Sequence, residues 1–217
     1  IYKAMGEYNR ALEAYHRATQ LNSALTASLN AQIKILSQGG QAQQVKPLKA
    51  QLDYIQSLPK PLIAVIDLLA QGKLVKAEQI CKLFLQKNPR NVEGMRLLSQ
   101  IALKLGVLDD AEFLLESALE FSPNNSRIRI EYIQVLRKRQ NYAGALHQAK
   151  VLLEMDKENP QFQSVFAIEA MQSGDFENAL IVFDKILEKI PEDPVTLTSR
   201  GHLLKTCGER EKAIDSY

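Results

Sequence analysis

The side chains with the most chemistry to offer are few and scattered. His16, His147 and His202 are the three histidines of the 217-residue chain, and each lies far from the others in sequence. None has the His-Glu-x-x-His spacing that sets two imidazoles on one helix face around zinc. Cys81 and Cys207 are the two cysteines and fall in different segments. They read as reduced thiols, buried or half-buried, and not as a disulfide framework or a metal site. Gly39-Gly40 has no strand signal before it and no Lys-Ser after it, so it does not read as a phosphate-cradling loop. No Ser or Cys is marked as an activated nucleophile. No catalytic residue, cofactor or metal ion is therefore expected. What remains is recognition by a surface.

The elements behind that surface repeat. Ala77, Ala111, Ala145, Ala179 and Ala213 follow one another at a 34-residue step. Leu85, Leu119, Leu153 and Leu187 keep the same step. So do Gly72, Gly106, Gly174 and Gly208, with Gln140 in the one missing place. Pro89, Pro123 and Pro191 follow too, with Lys157 in the gap. A period of this length marks a stacked repeat protein, in which each unit buries its apolar face only against its neighbours.

Within a unit the period is helical. In Pro160–Asp193, Phe162, Phe166 and Ala170 form one stripe, and Ile181, Phe183, Ile186, Leu187 and Ile190 form a second. Gly174 suits the left-handed conformation that closes the first helix. Asp175 can cap the second. Ala179 allows close helix approach, and Pro191 stops the second helix.

This pattern resembles the tetratricopeptide repeat (TPR) family, whose signature runs Trp, Leu-Gly, Tyr, Ala, Phe, Pro. Gln163, Phe166-Ala167, Ala170, Ala179, Phe183 and Pro191 occupy those places in the Pro160 unit. The Trp place is held by Pro61, Met95, Arg129, Gln163 and Leu197 in successive units. In the unit at Ser126, Ile133 stands where a small residue is usual and Ala149 where a large one is, which reads as a compensated size swap. The resemblance implies an all-α fold, a right-handed superhelix (solenoid) of antiparallel helix-turn-helix TPR units. It covers residues 58–217 clearly, in units starting at 58, 92, 126, 160 and 194, the last truncated. Residues 1–57 resemble it loosely, as a half repeat followed by a degenerate repeat.

Composition agrees with a folded chain. Hydrophobic residues make up 46% and charged residues 24%, which excludes a disordered class. The net charge of +2 gives no argument for nucleic acid as a partner, and no apolar run is long enough to span a membrane. Units alternate in sign: 58–91 and 126–159 are basic, 92–125 and 160–193 acidic. The chain opens at Ile1 in what reads as the end of a first helix, through Tyr8, and closes at Tyr217 within a second helix; both ends read as cut. A cytoplasmic location is the expectation, and a cut N-terminus leaves room for a signal peptide lost upstream.

Three features of the N-terminal part stand out. Leu25, Leu29, Ile33 and Leu36 form a helical stripe that Gly39-Gly40 breaks, and Pro47 is expected to open the partner helix. Leu58-Pro59-Lys60-Pro61 reads as a rigid, non-helical joint. From Pro61 to Gln71 the helix is apolar on all sides except at Asp67. Either segment 24–57 folds over it, or it offers an apolar groove to a partner helix.

In TPR arrays the first helix of each pair lines the concave face. The resemblance carries that face onto Arg96, Gln100, Arg127, Glu131, Gln134, Lys138, Ser164, Ile168, Met171, Thr198, His202 and Lys205. Arginines can fork onto carboxylates, and Ile168 and Met171 can take an apolar side chain. The carboxylate clamp of chaperone-tail binders does not fit. Its nearest places hold Arg96 with Gln100, then Glu131, then Gln161 with Val165, and Glu131 would repel a carboxylate. The run Val92–Leu98 with Gly106–Glu112 and Gly201–Thr206 is also similar to the repeats ahead of a sulfotransferase domain in some bacterial proteins. The expected function is a scaffold that binds a protein or peptide ligand in this groove. The alternatives are a docking module for a sulfotransferase domain beyond Tyr217 and end-to-end self-association.

Overall fold

Thirteen helices and no strand make up the described residues of the computed structural model, which are 2, 6–22 and 24–217. They fall into two compact units, Ile1–Gly106 and Val107–Tyr217. The first holds α1 (Tyr8–Leu21), α2 (Thr26–Gln38), α3 (Ala42–Ser57), α4 (Lys60–Ala70), α5 (Leu74–Lys87) and α6 (Val92–Leu105). The second holds α7 (Leu108–Phe121), α8 (Ser126–Lys138), α9 (Tyr142–Met155), α10 (Pro160–Gln172), α11 (Phe176–Lys189), α12 (Pro194–Thr206) and α13 (Arg210–Ser216). Within each unit, helices adjacent in sequence pack closely on one another except α3 and α4, which meet through side chains, and α4 with α6 and α10 with α12 add contacts across one intervening helix. The sequence division at residue 58 marks repeat regularity, a different property from this division in space. The helix end expected before Tyr8 lies in part outside the described residues.

The 34-residue marks have structural meaning. Ala77, Ala111, Ala145 and Ala179 are fully buried, where any larger side chain would push neighbouring helices apart. Gly72, Gly174 and Gly208 take the left-handed conformation, with φ of +70°, +86° and +85°. Gln140, in the one place without glycine, adopts it as well at φ +60°. A side chain there costs roughly 1–2 kcal/mol. Replacing Gln140 with glycine is expected to raise stability by about 0.5–1 kcal/mol, part of the relief being offset by the freer unfolded chain. A urea midpoint that stays put or falls in Gln140→Gly would show that the turn carries no such strain.

A second 34-residue mark gains its role from the structure. Asn91, Asn125, Asn159 and Asp193 cap α6, α8, α10 and α12. Their side-chain oxygens accept from Gly94 N at 2.8 Å, Ile128 N at 3.2 Å, Gln161 N at 3.0 Å and Thr196 N at 2.8 Å. Each satisfies one orphan donor of the helix start. Asp175, by contrast, does not cap α11 with its side chain; it accepts from the Asn178 amide at 2.9 Å.

Some sequence expectations are corrected. Pro47 does not open α3 but lies within it, because the helix starts at Ala42, just after the left-handed Gly40. The joint is shorter than four residues: Lys60 and Pro61 are the first two residues of α4, where a missing N–H is tolerated. Ile181 and Ile190 are exposed. Ile181 sits two residues from Phe183, and so on the opposite side of α11, and Ile190 follows the last helical residue. Cys207 is exposed, and Cys81 alone is buried.

The all-round apolar character of α4 has a direct cause. Leu62 and Val65 join Ala77, Cys81, Leu97 and Ile101 in one core. On another side Ile63 and Ile66 pack against Ala24, Leu29 and Ile55, with Leu48 and Leu52 beside them. Segment 24–57 therefore covers α4. At about 25 cal/mol per Å² of apolar surface, such two-sided burial outweighs any gain from exposing the helix to water.

Candidate protein-interaction face

The first helices of the repeats present two different situations. In the first unit, the site residue Arg96 is not available to a ligand. Its guanidinium is 2% exposed and donates through Nε to both Glu93 oxygens at 2.9 Å. Nη2 completes the ion pair with Glu93 and donates to the Tyr54 hydroxyl at 3.3 Å. Tyr54 itself donates to Glu93. Tyr54 stands in the last turn of α3, a helix of 16 residues where the partners in regular repeats have 14. From there its phenol reaches Glu93 and Arg96 on α6, over positions that the resemblance assigns to ligand contact. Gln100 is half-buried one turn further along α6. The expectation that Arg96 greets a carboxylate is thus corrected: it already holds one from its own helix.

In the second unit the face is more open. Arg127, Gln134 and Lys138 are exposed on α8, and Glu131 is half-buried with Arg127 at 3.8 Å. Ser164, Ile168 and Met171 are half-buried on α10. Thr198, His202 and Lys205 are exposed on α12. Thr198 Oγ1 donates back to the Pro194 carbonyl at 2.7 Å. His202 Nδ1 lies 3.1 Å from the Tyr217 hydroxyl, with the two rings edge to face.

Two buried charges support this face from behind. Glu169 on α10 is fully buried and pairs with Arg137 of α8, whose side chain is 39% exposed. Burial pushes the Glu169 carboxyl up from its ordinary value, and Arg137 offsets only part of that. Its second oxygen has no hydrogen-bond partner. At the Trp places, Arg129 donates to the Pro123 carbonyl at 2.5 Å and to Gln148, while Gln163 donates to the Lys157 carbonyl at 2.6 Å. Each ties its helix to the turn six residues earlier, work that an indole would do by packing. No pattern in the sequence announced these bonds or the burial of Glu169.

Among the described residues no group of three His, Cys, Asp or Glu side chains could hold a metal ion. Burial raises the Cys81 thiol to about 12, and Cys81 Sγ donates to the Gly94 carbonyl at 3.2 Å, so it is a packing group and not a nucleophile. No helix among the described residues is long and apolar enough to cross a membrane.

Helix pairs with buried small residues at a 34-residue step and a left-handed turn between the partners define a tetratricopeptide repeat domain. Residues 82–196, more than half of the chain, match the family described as the cytochrome c-type biogenesis protein H TPR domain. The chain belongs to that family. No curated protein sequence matches it. Among solved structures it is similar to a tetratricopeptide repeat protein from Parabacteroides merdae, with a TM-score of 0.65 and 17% identity over 96% of this chain and 77% of that one. It is also similar to MamA from Desulfovibrio magneticus RS-1, with a TM-score of 0.63 and 14% identity over 74% of this chain and 93% of that one. At such identities the likeness carries the fold alone.

Proposed function

We propose that this chain is a protein-interaction module that receives a peptide or helix on the first-helix face of its second unit. The carrying observation is the makeup of that face. Half-buried Ile168 and Met171 on α10 lie between helices that expose Gln134 and Lys138 on one side and Thr198 and Lys205 on the other. Preformed helices lose little ordering entropy on binding, so modest contacts suffice. Membership of a family described by cytochrome c-type biogenesis supports a client drawn from that process. The sulfotransferase alternative rests only on the runs at 92–98, 106–112 and 201–206. End-to-end self-association is a further reading, which a concentration-independent monomer in light scattering would dispose of.

A photo-crosslinking side chain tests the face. Placed at Ser164 or Ile168, it is expected to trap a bound client; placed at the exposed Ile181 of α11, it is not. Equal trapping from Ile181 would place the binding surface elsewhere.

A further inference from the structure

The repeat register sets up a band of side chains across the second unit that the general groove reading does not use. Positions 34 apart occupy equivalent places, so Arg137, Met171 and Lys205 share one level near the C-terminal ends of α8, α10 and α12. Ile168 lies one turn earlier on α10, and Lys138, the last residue of α8, stands one place beyond that level, next to Arg137. Arg137 is committed to Glu169, and Arg127 is offset by Glu131 at the other end of the face. Lys138 and Lys205 are exposed, and among the described residues neither forms a salt bridge within the chain. The band therefore reads cation, apolar, cation. The acidic side chains of α8 and α10, Glu131 and Glu169, are each paired with an arginine, and further acidic charge sits on α7 at Asp109, Asp110, Glu112 and Glu116.

We propose that this band recognises an acidic segment of a partner protein, with Lys138 and Lys205 each taking a carboxylate and Ile168 with Met171 taking one apolar side chain between them. This rests on the groove reading and narrows it. Packed helices stand about 8–10 Å apart, so two steps from α8 to α12 span roughly 16–20 Å. An extended segment rises about 3.3 Å per residue. The two acidic residues of the ligand then lie about five or six positions apart, with the apolar residue midway. Opposite potentials on the two partners would speed encounter and fix the register.

The full chain is titrated by fluorescence anisotropy with three synthetic peptides that share a central leucine. One has aspartates at that spacing, one has asparagines and one has lysines in their place. The acidic peptide is expected to bind at least about tenfold more tightly than the neutral one, and the preference to shrink at high salt. Lys138→Glu with Lys205→Glu is expected to abolish the preference; both side chains are exposed, and an unchanged circular dichroism spectrum verifies the fold. Equal binding of the acidic, neutral and basic peptides overturns the acidic specificity and leaves the groove reading standing. Binding of none overturns both. A thymidine oligonucleotide of matched charge that binds as tightly as the acidic peptide, with the same loss in the double variant, also overturns the proposal, since the band would then read charge alone.

Discussion

Replacing Arg137 with methionine is expected to lower the unfolding free energy by about 2–4 kcal/mol at neutral pH. Breaking a buried ion pair by removing one partner costs about 3–5 kcal/mol because the other charge is stranded. The partial exposure of Arg137 reduces that figure here. Glu169 cannot reach water, and its second oxygen is already without a partner. The pH dependence identifies the cause. A carboxyl whose folded pKa lies above its unfolded value binds a proton more readily in the folded state. Stability from that group is present below the unfolded value, ordinarily near 4.5, and is lost as pH rises through the folded one. Without Arg137 the folded value climbs further, so the deficit of the variant should be largest at neutral pH and shrink on acidification toward the ordinary carboxylate value. Urea unfolding across that range checks this. A deficit independent of pH would mean that lost packing, and not the stranded charge, is responsible. Glu169→Gln should in turn make Arg137→Met nearly harmless.

The second large effect concerns Ile133 and Ala149. In the next unit the equivalent places hold Ala167 and Phe183, and all four side chains are buried, with exposures of 1% or less. The large residue has moved from the second helix to the first. Ile133→Ala alone is expected to cost about 2–4 kcal/mol through a cavity. Ala149→Phe alone is expected to cost about 1–3 kcal/mol through overpacking between α8 and α9. Together they rebuild the arrangement of the following unit, and the double variant should recover at least about 1 kcal/mol of the summed loss. Strict additivity in a double-mutant cycle would mean that the two sites do not share one space and that the swap is coincidental.

The architecture was legible because its determinants are local and repeat. A 34-residue step in Ala, Gly and Pro, laid over a helical period, specifies helix pairs wherever the chain is read. The buried alanines and the left-handed turns at Gly72, Gly174 and Gly208 agree with it. Even the exception was legible as a place: Gln140 keeps the backbone that its glycine counterparts adopt.

Tertiary structure alone decided which polar groups were spent inside. Arg96 sits at a repeat position that points to ligand contact, yet Tyr54, 42 residues earlier, closes over it with Glu93. Glu169 is one of many charged helix residues in sequence, and only its place between packed helices opposite Arg137 strips it of water. Arg129 and Gln163 look like degenerate Trp places until their bonds to the Pro123 and Lys157 carbonyls are seen. Helical periodicity depends on neighbours three and four residues away. Burial of a charge depends on which distant segment comes to cover it, and nothing in the local sequence encodes that cover.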